Sequence, residues 1–400
     1  MALIPVSEAR ARILKLVNTL LPEDVQIDEA LGRSVASPII AKRTLPPWDN
    51  SAMDGYAVRS SDGATSLQVI EKIFAGDVPQ REVNAGTCAR IMTGAQLPRG
   101  ADAVVMQEKT KPLDGDRVEI LEAAKPGLNV RKRGEDIEAG SLLFPEGREL
   151  GIGDAGALWG QGFERVQVRR RPQVAIVSSG DELSDVGSSD ESKIVDSNSP
   201  VLAALVRRAG GIPNRVGRAS DSLESTSALF AKGLQSDVLI TVAGASVGEK
   251  DFTRDALLGL GVEMEFWRVA MKPGKPLAFG RKGSTLVFGL PGNPLSAMVT
   301  FEVFVRPALR AMQGLPSATP RLPARLGAPI TKKPPGLRYF VRGTWEVQGT
   351  ELVALPLSSQ SSGSLSSGAG ATCLIEVSED SGDLQIGSHC EVLPVSWGPA

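Results

Sequence analysis

Asp237-Val-Leu-Ile-Thr-Val-Ala-Gly-Ala-Ser-Val-Gly-Glu-Lys-Asp251 is the stretch whose reading decides the fold. Residues 237–242 form a short apolar, β-branched run suited to a buried strand. The small residues after it mark a tight turn, and a helix is predicted over 251–260. The same alternation extends in both directions. Strands are predicted at 174–178, 212–217, 262–269 and 285–289, with helices at 200–209, 222–233 and, as one long element, 294–312. Strand and helix alternating through short connections specify a doubly wound, mostly parallel sheet. Upstream, Ser7 can cap an amphipathic helix over 7–21, and 28–38 reads as a short helix running into a strand. Residues 56–125 alternate short β runs (67–74, 89–92, 103–108, 117–122) with Gly, Asp and Pro turns, an all-β module. The segment 126–171 mixes turns with short Gly-spaced elements. After Pro316 the chain is β-rich to its end, interrupted by the Ser/Gly-rich loop 358–368. The fold class is therefore multidomain, α/β plus β.

Composition narrows the function. Four hundred residues exceed what one hydrophobic core usually organises. Lys plus Arg is 44 against 46 Asp plus Glu, a formal net charge of −2, so no general nucleic-acid binder is expected. Three separated cysteines and the single His389 supply no disulfide framework, no CxxC pair and no multi-histidine zinc site. No basic-then-apolar leader and no run of 18 apolar residues is present. The expectation is a cytoplasmic protein with no membrane partner. The 43 glycines favour close backbone approach.

Ligands of open α/β sheets sit beyond the carboxyl ends of the strands. Five turns follow those ends: Ser179-Gly-Asp-Glu182, Arg218-Ala-Ser-Asp221, Ala243 to Asp251, Ala270-Met-Lys-Pro-Gly-Lys-Pro276 and Leu290-Pro-Gly-Asn-Pro294. They should converge on one edge. The loop from Gly244 through Ser246 to Gly248 opens a helix. It either cradles a phosphate with backbone N–H groups or is a packing turn; its spacing is neither a dinucleotide nor a Walker loop. Glu249 and Asp251 are either helix-start acids or Mg²⁺ ligands, with Asp181, Glu182 and Asp221 able to share the ion. Lys272 and Lys275 sit on a proline-stiffened turn, pre-placed for an anion. Asn293 and Pro294 read as N-cap and first helical residue, a structural pair that also offers an anion-friendly helix start. Asp49 to Tyr56, Thr93-Gly94 and Asn129 to Asp136 are dense in polar residues, but the residues alone assign them no ligand.

Seven motifs occurring in order bring a resemblance. Asn50-Ser-Ala-Met-Asp-Gly-Tyr-Ala57, Ile91-Met-Thr-Gly-Ala95, Arg133-Gly-Glu-Asp136, Ser179-Gly-Asp-Glu-Leu183, Ser246-Val-Gly-Glu-Lys-Asp251, Met271-Lys-Pro-Gly-Lys-Pro276 and Gly289-Leu-Pro-Gly-Asn-Pro294 together resemble the MoeA family of molybdopterin molybdenumtransferases. These are related to the E domains of gephyrin and of its plant counterpart. The resemblance covers essentially the whole chain. It implies four domains: 1–45 with 140–171, a β-rich insertion at 46–139, a MogA-like molybdopterin-binding domain at 172–315, and a C-terminal β-barrel at 316–400. It also implies a homodimer whose cleft is shared between subunits. The implied reaction is Mg²⁺-dependent insertion of molybdate into adenylylated molybdopterin with release of AMP, and transfer of the product to molybdoenzymes.

Residue by residue, the resemblance carries catalytic roles onto Asp54, Thr93, Asp136, Glu182, Asp251, Lys272 and Lys275. It carries substrate contacts onto Arg131, Asp221, Gly244, Ser246, Gly248, Pro291, Asn293, Pro294, Arg342 and Ser362. The metal set is Asp251, Glu182 and Asp221. The chain departs from the family pattern at Ala243, Arg268 and Ser361. Two other functions compete with this one: adenylylation of molybdopterin by the 172–312 region, and a gephyrin-like scaffold without catalysis.

Overall fold

The computed structural model describes residues 3–242, 252–395 and 397. The chain forms two compact units. One comprises Met1–Asp24, Gly32–Ala36 and Gln167–Ala400, the other Val25–Leu31 and Ser37–Val166.

The first unit is built on a six-stranded sheet. Its order is Ile212–Ala219, Gln173–Ser179, Val238–Val242, Thr285–Leu290, Ala278–Lys282, Glu263–Phe266. The first four strands are mutually parallel, and the last two join antiparallel. The Ala278–Lys282 strand was not foreseen; with Thr285–Leu290 it makes a hairpin through Gly283, whose φ of 58° suits the turn. Since Glu263–Phe266 pairs antiparallel to an antiparallel neighbour, its carboxyl end returns to the same edge as the four parallel strands. The turns after 179, 219, 266 and 290 thus open on one side, as the strand-end rule requires.

The C-terminal strands Leu322–Leu326, Arg338–Gln348, Glu351–Pro356, Cys373–Val377 and His389–Pro394 pair in a closed ring of five. Closure leaves the barrel without a free edge. Its two surfaces face different cores. Tyr339, Val341 and Ile375 point into the barrel. Phe340, Leu374 and Leu393 share the α/β core with Phe279, Phe288 and with Val6, Ala9 and Ile13 of the first helix.

Three elements differ from the sequence reading. The first helix is Val6–Lys15, with Pro5 at its N-cap and Ser7 inside it. Beyond it the chain extends, and the Leu20 amide donates to the Met312 carbonyl at 2.7 Å, so Leu20 reaches the core without helical geometry. Residues 27–32 are turns, and Val35 makes only an isolated bridge to Val168; there is no helix over 28–38. The long helix 294–312 is continuous but not uniform: Pro294–Thr300 and Arg306–Met312 are α, joined by one π turn at Phe301–Val305. That turn buries Glu302, which accepts from Arg306 Nη1 and Trp397 Nε1, both at 3.3 Å. Burial pushes its carboxyl above the usual range.

The second unit holds a six-stranded sheet ordered Ala103–Met106, Gly55–Val58, Thr87–Ile91, Ser66–Ile73, Arg117–Ile120, Thr110–Leu113. Alternation along Thr87–Ile91 sends Cys88 into one core and Ala89 and Ile91 into another, so both sheet faces are covered. The helix at Ile152–Gly160 departs from the sequence reading because the five glycines at 151, 153, 156, 160 and 162 read as turns. Asp154 explains it: its carboxylate accepts the Gly151 amide at 2.8 Å, closing the first turn.

One ion pair in the first unit is expected to matter for stability. Asp237 receives Arg170 on both oxygens at 2.6 Å and the Gln173 amide at 2.8 Å. Burial alone would raise its carboxyl, but these donors hold it below the usual range. Arg170 is a third exposed, so Asp237→Ala should cost about 2–3 kcal/mol, somewhat less than a fully buried pair. Because the folded pKa is depressed, this contribution is complete above the ordinary carboxylate range and is lost as pH falls through the lowered value. Urea midpoints of the two proteins should therefore differ at neutral pH and draw together in acid; equal midpoints at pH 7 would refute the assignment.

Candidate functional site

The acids on the carboxyl edge of the first unit lie on adjoining loops. The Asp221 amide donates to Asp181 Oδ1 at 3.3 Å, tying the turn after Ile212–Ala219 to the turn after Gln173–Ser179. Gly180 has a φ of 137°, and a Cβ there would collide with the Glu182 carboxylate, so glycine is what allows Glu182 to fold back over its own turn. Among the described residues Asp181, Glu182 and Asp221 form no ion pair, and no three acid, His or Cys side chains converge as a ready metal cage. Gly244, Ser246, Gly248, Glu249 and Asp251 lie outside the described residues.

Farther along that edge, the Pro291–Pro294 turn is held by Asn198, whose Nδ2 donates to the Gly292 carbonyl at 2.7 Å. Asn293 and Pro294 occupy the N-cap and first helical positions, though the Asn293 side chain makes no capping bond. One residue on, the Leu295 amide donates to the Ser362 carbonyl at 3.2 Å. This bond joins the edge to a cavity of about 870 Å³ whose walls include Lys272, Lys275, Ser296, Tyr339, Ser361 and Ser362. The Lys272–Lys275 turn is shaped for the place. Gly274 takes a φ of 103°, and a side chain there would strike Thr300 and Met271. Lys272 and Lys275 are both exposed, and neither forms an ion pair among the described residues.

Arg342 is the electrostatic centre of this region. Its side chain is fully buried. Nη2 donates to the Ser359 and Ser361 carbonyls at 3.0 and 3.1 Å, and Gln360 pins the Arg342 backbone from both sides. Among the described residues, Nε and Nη1 have no hydrogen-bond partner and the guanidinium forms no ion pair. Burial depresses its pKa. Arg342 thus stands behind the Ser358–Ser362 wall of the cavity, a cation with donors to spare. An uncompensated buried charge is costly, and protein interiors seldom carry one without a ligand-related reason.

In the second unit, Asp54 Oδ1 accepts both the amide and the hydroxyl of Thr93 at 2.8 Å. The amide bond, then the hydroxyl bond, holds this exposed carboxyl below the usual range. Gly55 must be glycine because a Cβ would strike the Val105 carbonyl. Ser51 links the motifs: its carbonyl accepts the Gly94 amide at 2.8 Å, and Asn50–Ser51 pairs antiparallel with Val130–Arg131. Asp54, Thr93 and Arg131 therefore share one patch. Asp136 is tied elsewhere, its amide on the Leu45 carbonyl at 3.2 Å. The 131–136 charges are partly consumed locally, since Asp49 takes Lys132 Nζ and the Arg133 amide, each at 2.8 Å. The cysteines offer no nucleophile: all three are buried and free, and burial pushes the Cys88 and Cys373 thiols up to about 12.

Comparison with known proteins accounts for this assembly. The chain matches the family models for the MoeA N-terminal region (domain I and II) over 4–162, a probable molybdopterin binding domain over 175–311, and the MoeA C-terminal region (domain IV) over 323–395. It is 35% identical to the molybdopterin molybdenumtransferase of Haemophilus influenzae, with 98% of each chain covered. The chain belongs to the molybdopterin molybdenumtransferase family. It is also 36% identical to molybdopterin molybdenumtransferase 2 of Mycobacterium tuberculosis, over 97% of this chain and 98% of that one. A solved structure of the molybdopterin biosynthesis protein MoeA from Pyrococcus horikoshii aligns with a TM-score of 0.83 at 32% identity, covering 98% of this chain and 99% of that one. Within this family framework, two residues that line the cavity carry no signal in the sequence: Ser296 and Tyr339. Each becomes visible only once distant elements are brought together. Among the described residues, no helix is long and apolar enough to cross a membrane.

Proposed function

We propose that this enzyme of molybdenum cofactor biosynthesis inserts molybdate into adenylylated molybdopterin and releases AMP. One observation carries the reading: the cavity beside the carboxyl edge is walled by two unpaired lysines and backed by the buried, acid-free Arg342. A tetrahedral dianion of oxygen is the ligand such a place suits, since charge-assisted donors are the strong ones. Lys272 and Lys275 bind and orient the oxyanion, while Arg342 supplies a fixed positive field and holds the Ser359–Ser361 backbone in place. The nucleotide-bearing substrate lies along the edge, where Asp221, the Pro291–Pro294 turn and the Gly244–Gly248 loop are assigned to it. Glu182 and Asp221, which form no ion pair among the described residues, would hold Mg²⁺ together with Asp251, assigned by family resemblance, since the ion is usually held by few carboxylates plus substrate phosphates. When bound, the ion neutralises phosphate charge at the cleaved bond.

On this reading the chain has the four-domain division drawn above and works in the cytoplasm as a homodimer. Asp54, Thr93, Arg131 and Asp136 of one subunit complete the cleft of its partner, and the product passes to molybdoenzymes. The test is a release assay with adenylylated molybdopterin, molybdate and Mg²⁺. AMP and active cofactor should appear together, and omission of molybdate should suppress active cofactor. Formation of the adenylylated compound from molybdopterin and ATP would instead establish the preceding step as this protein's reaction. Absence of both activities would favour the scaffold.

A further inference from the structure

Tyr339 stands beside Lys272 where the Met271–Lys272 segment pairs in parallel with the Arg338–Gln348 strand. The Lys272 ammonium lies 5.1 Å from the ring centroid, within cation–π range. It also donates to the Lys333 carbonyl at 2.8 Å. An ammonium carries three N–H donors, so two remain for a ligand in the cavity, which the ring itself helps to wall. The platform is rigid. Tyr339 is 5% exposed, and its hydroxyl donates to the Pro334 carbonyl at 2.9 Å. The segment that presents the Lys333 carbonyl is fixed by the residue before it. The Lys332 amide donates to Asp383 Oδ1 at 2.7 Å, and its ammonium caps the Ser378, Glu379 and Ser381 carbonyls.

We propose that Tyr339 is a positioning residue for the oxyanion site: its ring face and the Lys333 carbonyl hold the Lys272 ammonium at the cavity wall with two donors free. This rests on the oxyanion reading of the cavity. A mobile lysine loses rotamer freedom when it takes a ligand, and one already held loses less. The Lys332 ammonium also lies over this ring, 5.7 Å from its centroid; Tyr339 serves the site through the Lys272 ammonium that it holds at the cavity wall.

Calorimetric titration of full-length protein with molybdate tests the assignment in four variants: Lys272→Ala, Tyr339→Leu, Tyr339→Phe and the Tyr339→Leu/Lys272→Ala pair. Tyr339→Leu should weaken binding about two- to fivefold, the range of an exposed cation–π contact. Tyr339→Phe keeps the ring and should match the wild type. In the Lys272→Ala background the leucine change should have no further effect, because a contact that acts through one partner vanishes with it. If leucine weakens binding equally with and without Lys272, or phenylalanine is as weak as leucine, the ring is structural and the proposal is overturned. It is likewise overturned if Tyr339→Leu binds as the wild type while Lys272→Ala does not. Unchanged affinity in Lys272→Ala overturns the oxyanion reading itself, and this inference with it.

Discussion

Protein carrying both Lys272→Ala and Lys275→Ala is expected to bind molybdate about a hundred- to ten-thousandfold more weakly than the wild type, since each charged hydrogen bond contributes about 1.5–3 kcal/mol. The loss should appear in molybdate titrations and, with adenylylated molybdopterin as co-substrate, as a raised KM for molybdate. Stability should hardly change. Both side chains are exposed, and the turn that carries them is shaped by Pro273, Gly274 and Pro276, which remain. Arg342 also remains, so the residual affinity measures what the buried charge contributes alone. Double-variant protein that binds molybdate as tightly as the wild type would remove the cavity from the mechanism.

Asp54→Asn should lower turnover about a hundred- to ten-thousandfold, the range for a side chain that acts on the reacting groups. The substitution is a clean one. Asparagine retains an oxygen able to accept both Thr93 bonds, so the local fold persists and only the charge is lost. Because its bonds to Thr93 depress the pKa of Asp54, the wild type should hold its charge at this position to lower pH than an ordinary carboxylate. Acid loss of activity from this group should therefore begin at a lower pH than for an ordinary carboxylate. The shared-cleft reading adds a sharper result. Mixing Asp54→Asn subunits with Lys272→Ala subunits should restore about one quarter of wild-type activity, because half of the randomly exchanged dimers carry one intact cleft. Failure to restore any activity after verified subunit exchange would place both residues in a cleft built by a single chain.

Much of this architecture could be read without coordinates, for a physical reason. The strand–turn–helix repeats of 174–290 rely on short apolar runs bounded by Gly, Pro and Asp, and such local signals survive in any context. The errors fall where tertiary contacts override them. Leu16, Val17 and Leu20 have the spacing of a helix, yet Leu20 reaches the core beyond the helix end, anchored by Met312. Phe301–Val305 is wholly buried, so its apolar pattern carries no mark of the π turn. Site residues followed the same divide. Lys272 and Lys275 stood out because prolines flank them. Tyr339 did not, being one more alternating residue of a strand until the Met271–Lys272 segment is laid against it. Arg342 enters through resemblance, and that no acid pairs with it among the described residues is visible only in three dimensions.

That lone guanidinium has a consequence for selectivity. A buried point of positive charge attracts any dianion and is indifferent to whether the central atom is molybdenum, tungsten or sulfur. Sulfate differs from molybdate in the length of its bonds to oxygen, not in its overall valence. On the oxyanion reading, discrimination between the two falls to the groups that line the cavity, the Lys272 and Lys275 ammoniums and the Ser358–Ser362 wall that Arg342 tethers.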